Sequence, residues 1–286
     1  MPAMRKIIGI IGYPLEHSLS PVMHNAAFRK LNLNYEYVAF EVAPPDLKEA
    51  LSGLRALKIC GINVTIPHKE TIIPLLDDLT KVARDIGAVN TVICLNQKLT
   101  GYNTDGPGLI ESLKEDAKFD PVGKKVVILG AGGAGRAAAT MLGERGAKSI
   151  AISDIAENKA ANLVEYLLSY SKAPCQEVKM GSAELQEKIT AADLLLNATP
   201  VGMYPKSEET ALPENIQLPS HLLVYDLVYN PRETKLLKAA RAAGAQTCSG
   251  LGMLVRQGAL AFTLFTGEEA PLETMRQAVE EALDSR

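Results

Sequence analysis

Val126-Val-Ile-Leu-Gly-Ala-Gly-Gly-Ala-Gly-Arg-Ala-Ala-Ala139 is the stretch that decides the fold. Four apolar residues run into Gly130-x-Gly132-x-x-Gly135, and alanine-rich helical sequence follows. Strand, glycine turn and helix in that order give the glycine fingerprint its meaning; the glycines alone would be a weak signal. The first glycine permits the tight turn, the second lets a pyrophosphate approach the backbone, and the third lets the helix lie close on the strand. Helix N–H groups and the helix dipole attract the anion. The competing reading is a tight turn with no ligand.

Outward from the loop, Asp154 ends the next predicted strand, nineteen residues after Gly135. A carboxylate there accepts hydrogen bonds from an adenosine ribose and repels a 2′-phosphate. No arginine stands beside it, and the nearest cation in sequence is Lys159. The residues therefore favour NAD over NADP. Asp154 as an N-cap of the following helix is the plainer alternative.

Strands and helices alternate along the whole chain, which predicts an α/β fold with mainly parallel sheets. Predicted strands are Lys6–Ile10, Tyr35–Phe40, Gly61–Thr65, Val89–Leu95, Lys125–Leu129, Ser149–Ser153, Asp193–Asn197 and Leu222–Val228. Ser20-Pro21 opens a helix, with serine as N-cap and proline at the first helical position. Asp105-Gly-Pro-Gly has the form of an N-cap and first turn. Residues 204–219 form a long surface loop, and Gly252–Thr266 and Leu272–Leu283 are helical by periodicity. Two differently organised domains meet near residues 105–122, and pattern alone leaves open which one the tail helices complete.

The 286 residues suffice for two domains. A formal net charge of −3 gives no basic footprint for nucleic acid. No apolar signal core precedes the first strand, and no apolar run has the length of a membrane span. Cys60, Cys94, Cys175 and Cys248 form no CxxC pair and no metal-ligand spacing with histidine. That pattern suits reduced thiols in a cytoplasmic protein without a metal. His17, His24, His68 and His221 are separated and read as ordinary structural residues, with His17 or His68 as acid–base groups a minor alternative.

Reduction of a ketone by hydride leaves charge on oxygen, so a proton must arrive, and lysine and aspartate are suitable donors when positioned. Lys69 ends Asn63-Val-Thr-Ile-Pro-His-Lys69, and Asp105 stands in Asn103-Thr-Asp-Gly106. Taken alone, Lys69 reads as a solvated surface lysine and Asp105 equally as a helix cap. Ser18, Ser20, Thr65, Asn90 and Asn103 fall largely at strand ends in the same half and could bind a polyol.

Taken together, the chain resembles the shikimate dehydrogenase family, including its quinate/shikimate branch. The matching stretches are Ile11-Gly-Tyr-Pro-Leu-Glu-His-Ser-Leu-Ser-Pro21, Asn63–Lys69, Gly87-Ala-Val-Asn-Thr91, Gly101-Tyr-Asn-Thr-Asp-Gly106 and Gly130–Gly135. They continue with Asn197-Ala-Thr-Pro-Val-Gly-Met203, Tyr225-Asp-Leu-Val-Tyr-Asn-Pro231 and Gly250-Leu-Gly-Met-Leu-Val-Arg-Gln257.

The resemblance implies an N-terminal α/β substrate-binding and catalytic domain over 1–105, completed by 252–286. A Rossmann NAD(P)-binding domain would span 106–251, with both ligands in the cleft between and closure excluding water. It implies a catalytic pair of Lys69 and Asp105, with Lys69 the principal acid–base group. Ser18 and Ser20 would bind the substrate carboxylate. Thr65, Asn90, Asp105 and Gln257 would hold the ring hydroxyls, with Tyr229 close by. Gly130, Ala131, Gly132, Gly133 and Ala134 would hold the pyrophosphate, and Leu227, Gly250 and Met253 would lie near the nicotinamide. The implied reaction is reversible reduction of 3-dehydroshikimate to shikimate, a step toward chorismate and the aromatic amino acids, in a monomer or homodimer.

Two positions refine it. NADP-using members commonly carry Asn-Arg-Thr where Ser153-Asp-Ile155 stands here, which again favours NAD, with NADP the alternative. Members favouring quinate often place threonine at the position of Ser20, so Ser20 leans toward shikimate. A catabolic quinate dehydrogenase is the nearest rival, and a non-catalytic ligand sensor on this fold is the rival from another class.

Overall fold

A computed structural model describes residues 4–169 and 174–285. The chain divides into two compact units, Met1–Gly108 with Val255–Arg286, and Leu109–Leu254. Both divisions fall inside helices.

The first unit is built on a six-stranded sheet. Its strands are β1 (Lys6–Gly12), β2 (Tyr35–Glu41), β3 (Gly61–Val64), β4 (Asp78–Leu79), β5 (Thr91–Leu95) and β6 (Lys98–Tyr102), in the order β2-β1-β3-β5-β6-β4. β1 lies between β2 and β3, parallel to both, and its apolar run Ile7–Ile11 suits a buried central strand. The sheet is mixed where mainly parallel strands were expected: β5 runs antiparallel to β3 and to β6. The β5–β6 pair is set by the two-residue turn at Asn96-Gln97, both with positive φ (51° and 64°). Such left-handed pairs match the twist of a hairpin, but Gln97 lacks the glycine that would have signalled it.

The mixed topology has a consequence for function. β1, β3 and β6 share a direction, so the chain leaves all three at one edge of the sheet. β5 runs the other way, so the residue just before it sits at that same edge. Ser18–Ser20, Thr65–Lys69, Asn103–Asp105 and Asn90 are thereby gathered from four separate segments.

Helix α1 (Ser20–Lys30) begins at Ser20 and not after it, with Leu19 at the cap position and no side-chain cap bond. α2 (Leu47–Ala56) turns Leu47, Leu51 and Leu54 inward at helical spacing, into a core with Ile11, Ile62, Val64, Val92 and Leu99. α3 (His68–Thr71) and α4 (Lys81–Ile86) follow; Thr80 caps α4 at Ala83 N and Gly87 ends it in the left-handed region. α5 (Asp105–Glu115) leads into the second unit.

The second sheet holds β7 (Lys125–Leu129), β8 (Ser149–Ser153), β9 (Cys175–Glu177), β10 (Leu194–Asn197), β11 (Leu223–Asp226) and β12 (Gln246–Ser249). All are parallel, in the order β12-β11-β10-β7-β8-β9. This is the doubly wound order in which ligands bind beyond the carboxyl ends of the strands, where the order reverses. Helices α6 (Gly133–Glu144), α7 (Lys159–Leu168), α8 (Ala183–Thr190) and α9 (Lys235–Ala242) connect the strands. Alternate residues of β7 feed two cores, Val126 and Ile128 into one, Val127 and Leu129 into the other. α6 buries Ala137, Ala138 and Ala139, small side chains that let it lie close to the sheet.

α10 (Leu251–Thr266) starts in the second unit and continues into the first, and α11 (Leu272–Asp284) packs against α1. Among the described residues no helix is long and apolar enough to cross a membrane, and no three His, Cys, Asp or Glu side chains gather as a metal site.

Candidate active site

Lys69 Nζ donates to Asp105 Oδ2 at 2.6 Å. Both side chains are largely buried, 17% and 6% exposed, so Lys69 is not the solvated surface lysine its sequence position allowed. α3 holds it: His68 N donates to Thr65 O, and Lys69 O accepts from Val89 N at 2.8 Å. His68 is fully buried and its Nε2 meets Val42 O at 2.7 Å, so it anchors the turn.

Asp105 is the first residue of α5, but it does not cap that helix. Asn103 Oδ1 accepts from Gly106 N at 3.1 Å, and Asn103 Nδ2 donates to Ala88 O. That bond satisfies a helix N–H which would otherwise need a partner and leaves the Asp105 carboxylate for Lys69 and Asn90.

Asn90 Nδ2 donates to Asp105 Oδ1 at 2.9 Å and Thr104 Oγ1 at 2.8 Å, and reaches Gln257 Oε1 at 3.4 Å. Asn90 is 3% exposed. Gln257 comes close because Gly108 has no side chain: a Cβ there would lie 2.8 Å from Gln257 N. Ser18 is half-buried and Ser20 buried, and Ser18 Oγ accepts from Ser20 N at 3.4 Å. Thr65 is half-buried at the end of β3. Tyr229 is half-buried and belongs to the second unit.

Besides Thr104 and Thr91, two further residues outside the expected set, Tyr37 and Asn63, join this network. Tyr37 Oη donates to Asn63 Oδ1 at 2.7 Å, and Asn63 Nδ2 donates to Thr91 Oγ1 at 2.9 Å. Both are buried. Their alternation within β-rich runs signals core, and nothing in the spacing signals a hydrogen-bond role.

In the second unit, Gly130 has φ 99°, a value that strains any other residue. A Cβ on Gly135 would lie 2.0 Å from Gly130 O, so the helix start and the loop touch backbone to backbone. α6 begins at Gly133 and Gly132 is its extended cap residue. Two glycines admit no side chain and a helix N-terminus faces the turn, which fits a pyrophosphate.

Asp154 Oδ2 accepts from Ala131 N at 2.7 Å and Oδ1 from Ala156 N at 2.8 Å. It therefore braces the glycine loop and is not the N-cap of α7, where Asn158 holds that position. Beside it, Ile155 is 84% exposed. Lys159 Nζ lies 3.7 Å from where a Cβ on Gly132 would be, which places a cation at the loop.

Gly250 is equally constrained, since a Cβ would lie 2.0 Å from Leu227 O. Met253 is buried in the core of this unit. The loop carrying Leu227 is fixed by Asp226, which accepts from Asn197 Nδ2 at 2.8 Å, Thr234 Oγ1 at 2.6 Å and Val228 N at 3.1 Å. Burial pushes the Asp226 carboxyl up, against those hydrogen bonds.

Residues 10–92 match the shikimate dehydrogenase substrate binding domain, and residues 250–280 match the shikimate 5′-dehydrogenase C-terminal domain. Shikimate dehydrogenase (NADP(+)) of Methanopyrus kandleri is 50% identical, over 98% of this chain and 97% of that one. This chain belongs to the shikimate dehydrogenase family. It is an oxidoreductase of that family with a two-domain Rossmann architecture. The Moorella thermoacetica relative, also named shikimate dehydrogenase (NADP(+)), is 49% identical over 97% of this chain and 93% of its own. The crystal structure of shikimate 5-dehydrogenase from Listeria monocytogenes in complex with shikimate and NAD is 40% identical. It covers 96% of each chain with a TM-score of 0.87.

Proposed function

We propose that this protein catalyses the reversible reduction of 3-dehydroshikimate to shikimate with a nicotinamide dinucleotide. In this reading the first unit binds the substrate and the second the dinucleotide. The observation that carries it is the buried Lys69–Asp105 pair, 2.6 Å apart, with Asn90 donating to the second carboxylate oxygen.

A bound dinucleotide supplies the hydride for reduction and takes it in reversal. Lys69 gives its Nζ proton to the carbonyl oxygen as that oxygen becomes a hydroxyl, and recovers one from solvent; in reversal it removes the proton. Asp105 aims the ammonium and, with Asn90, Thr65 and Gln257, holds the ring hydroxyls. Ser18 and Ser20 hold the carboxylate, and Tyr229 completes the substrate set. Gly130–Ala134 hold the pyrophosphate, and Leu227, Gly250 and Met253 line the nicotinamide subsite. Positioned acid–base groups of this kind contribute about 10²–10⁴-fold in rate.

The cofactor preferred is NAD(H). Asp154 supports this, because its charge stands at the end of β8 where an adenosine ribose binds, and Ile155 beside it offers no cation. Lys159 and the NADP(+) names of the relatives weigh the other way; the charge of Asp154 against a 2′-phosphate is the ground for preferring NAD. Ser20, with no extra methyl, supports shikimate over quinate.

Initial rates with shikimate and quinate, each with NAD and NADP, test both choices. Shikimate with NAD is expected to give the highest kcat/KM. NADP turnover far above NAD would overturn the cofactor assignment, and faster quinate oxidation would overturn the substrate.

A further inference from the structure

We propose that Tyr37 is a positioning residue for this reaction, acting through Asn63 and Thr91 to fix the Asn90 side chain and hence the Asp105 carboxylate. The inference rests on the reading of Lys69, Asp105 and Asn90 as the reacting site.

Tyr37 is 2% exposed, and its phenol is a hydrogen-bond donor within the core. Its single proton goes to Asn63 Oδ1, 2.7 Å away, an oxygen that can only accept. With that oxygen engaged, Asn63 presents its amide nitrogen to Thr91 Oγ1 at 2.9 Å and to Asn90 O at 3.2 Å. Thr91 Oγ1, already accepting from Asn63, donates to Asn90 Oδ1 at 3.1 Å. Thr104 N also donates to Asn90 Oδ1, at 2.7 Å. Only the nitrogen of Asn90 then remains for Asp105 Oδ1. An amide can turn over and exchange its oxygen and nitrogen; each link here excludes that.

The chain joins Tyr37 through Asn63, Thr91, Asn90 and Asp105 to Lys69 at the reacting end of the proposed site. All its side chains between are buried, where an unpaired polar group is costly and a satisfied network is rigid. Tyr37 itself is held against rotation. Its backbone makes two 2.9 Å bonds with the Asn25 amide, and its ring stacks on His24 with centroids 4.4 Å apart and planes 5° from parallel. The hydrogen bonds of the Tyr37 and Thr91 side chains go to Asn63 and Asn90, and those of Asp105 to Lys69 and Asn90, so the part of Tyr37 and Thr91 is orientation.

Removing the phenol oxygen keeps the stacked ring. Tyr37→Phe is expected to lower kcat for shikimate oxidation about tenfold, the scale of a slightly misplaced reacting group, with the KM for NAD unchanged. Thr91→Val cuts the same chain further along and should give the same loss, while Thr91→Ser restores kcat. The double variant Tyr37→Phe/Thr91→Val should be no slower than either single change, because one broken chain cannot be broken twice.

A Tyr37→Phe or Thr91→Val enzyme within about twofold of the parent kcat would overturn the proposal, as would losses that multiply in the double variant. Thermal midpoints confirm that each variant is folded; if Tyr37→Phe is not, Thr91→Val against Thr91→Ser decides alone. Parent turnover and Lys69→Ala test the functional reading separately, so an active parent with an inert Tyr37→Phe change removes only the positioning role.

Discussion

Lys69 Nζ and Asp105 Oδ2 meet at 2.6 Å although thirty-six residues separate them in the chain. The hairpin β5–β6 brings them together, because it returns the chain to the edge of the sheet where β3 ends.

Asn103→Ala removes the bond to Gly106 N and the one to Ala88 O. Loss of such a cap costs about 1 kcal/mol, within roughly 0.5–2, and it loosens the turn that carries Asp105. Denaturant unfolding should show the lower stability and steady-state kinetics a lower kcat. A variant with unchanged kcat would mean that Asp105 is held without this turn.

Gly135→Ala places a methyl 2.0 Å from Gly130 O. Backbone cannot move aside cheaply, and overpacking of this kind costs roughly 1–3 kcal/mol. Dinucleotide affinity, read by titration calorimetry, should fall while the Lys69–Asp105 site is untouched. Parental affinity would show that the loop has room that the structure denies it.

Asp154→Ser with Ile155→Arg exchanges the carboxylate for a cation beside Lys159. The ratio of kcat/KM for NADP over NAD should rise at least about tenfold, since losing one repulsion and gaining one charge-assisted bond exceeds the roughly 1.4 kcal/mol this requires. An unchanged ratio would place cofactor choice elsewhere.

His24 supplies a pH test. It is 1% exposed, and burial pushes its imidazole from 6.5 down to about 3. Between those values the unfolded chain binds a proton that the folded chain does not. This contribution is therefore fully present above pH 6.5 and is lost as pH falls toward 3. His24→Phe keeps an aromatic ring on Tyr37 and removes the titration. From about pH 6 to 5 its stability should decline less steeply than the parent's, by close to 1.4 kcal/mol per pH unit. Equal slopes would show that His24 does not stay neutral.

The dinucleotide unit was legible because one physical demand sits in one stretch. A strand, Gly130, Gly132, Gly135 and a helix must be contiguous to cradle a phosphate, so Val126–Ala139 displays the whole device. β9 and β12 escaped notice: three and four residues with polar members, Cys175–Glu177 and Gln246–Ser249, carry too little pattern.

The chemical site is the opposite case, since it is assembled across the sheet. Lys69, Asn90 and Asp105 belong to separate turns, and only a strand pairing brings them together. That pairing depends on β6 and the Asn96-Gln97 turn, whose left-handed geometry the residue types do not announce. Resemblance supplied the pairing of Lys69 with Asp105, where spacing left plainer readings open. Tyr37 and Asn63 stayed hidden because a buried tyrosine on a strand looks like core until its hydroxyl is traced.

In the proposed reaction Lys69 moves the proton of shikimate oxidation, and the decisive measurement is kcat for Lys69→Ala with shikimate and saturating NAD. A loss of about 10²-fold or more is expected in a folded protein that still binds dinucleotide. A kcat within a few-fold of the parent would contradict it.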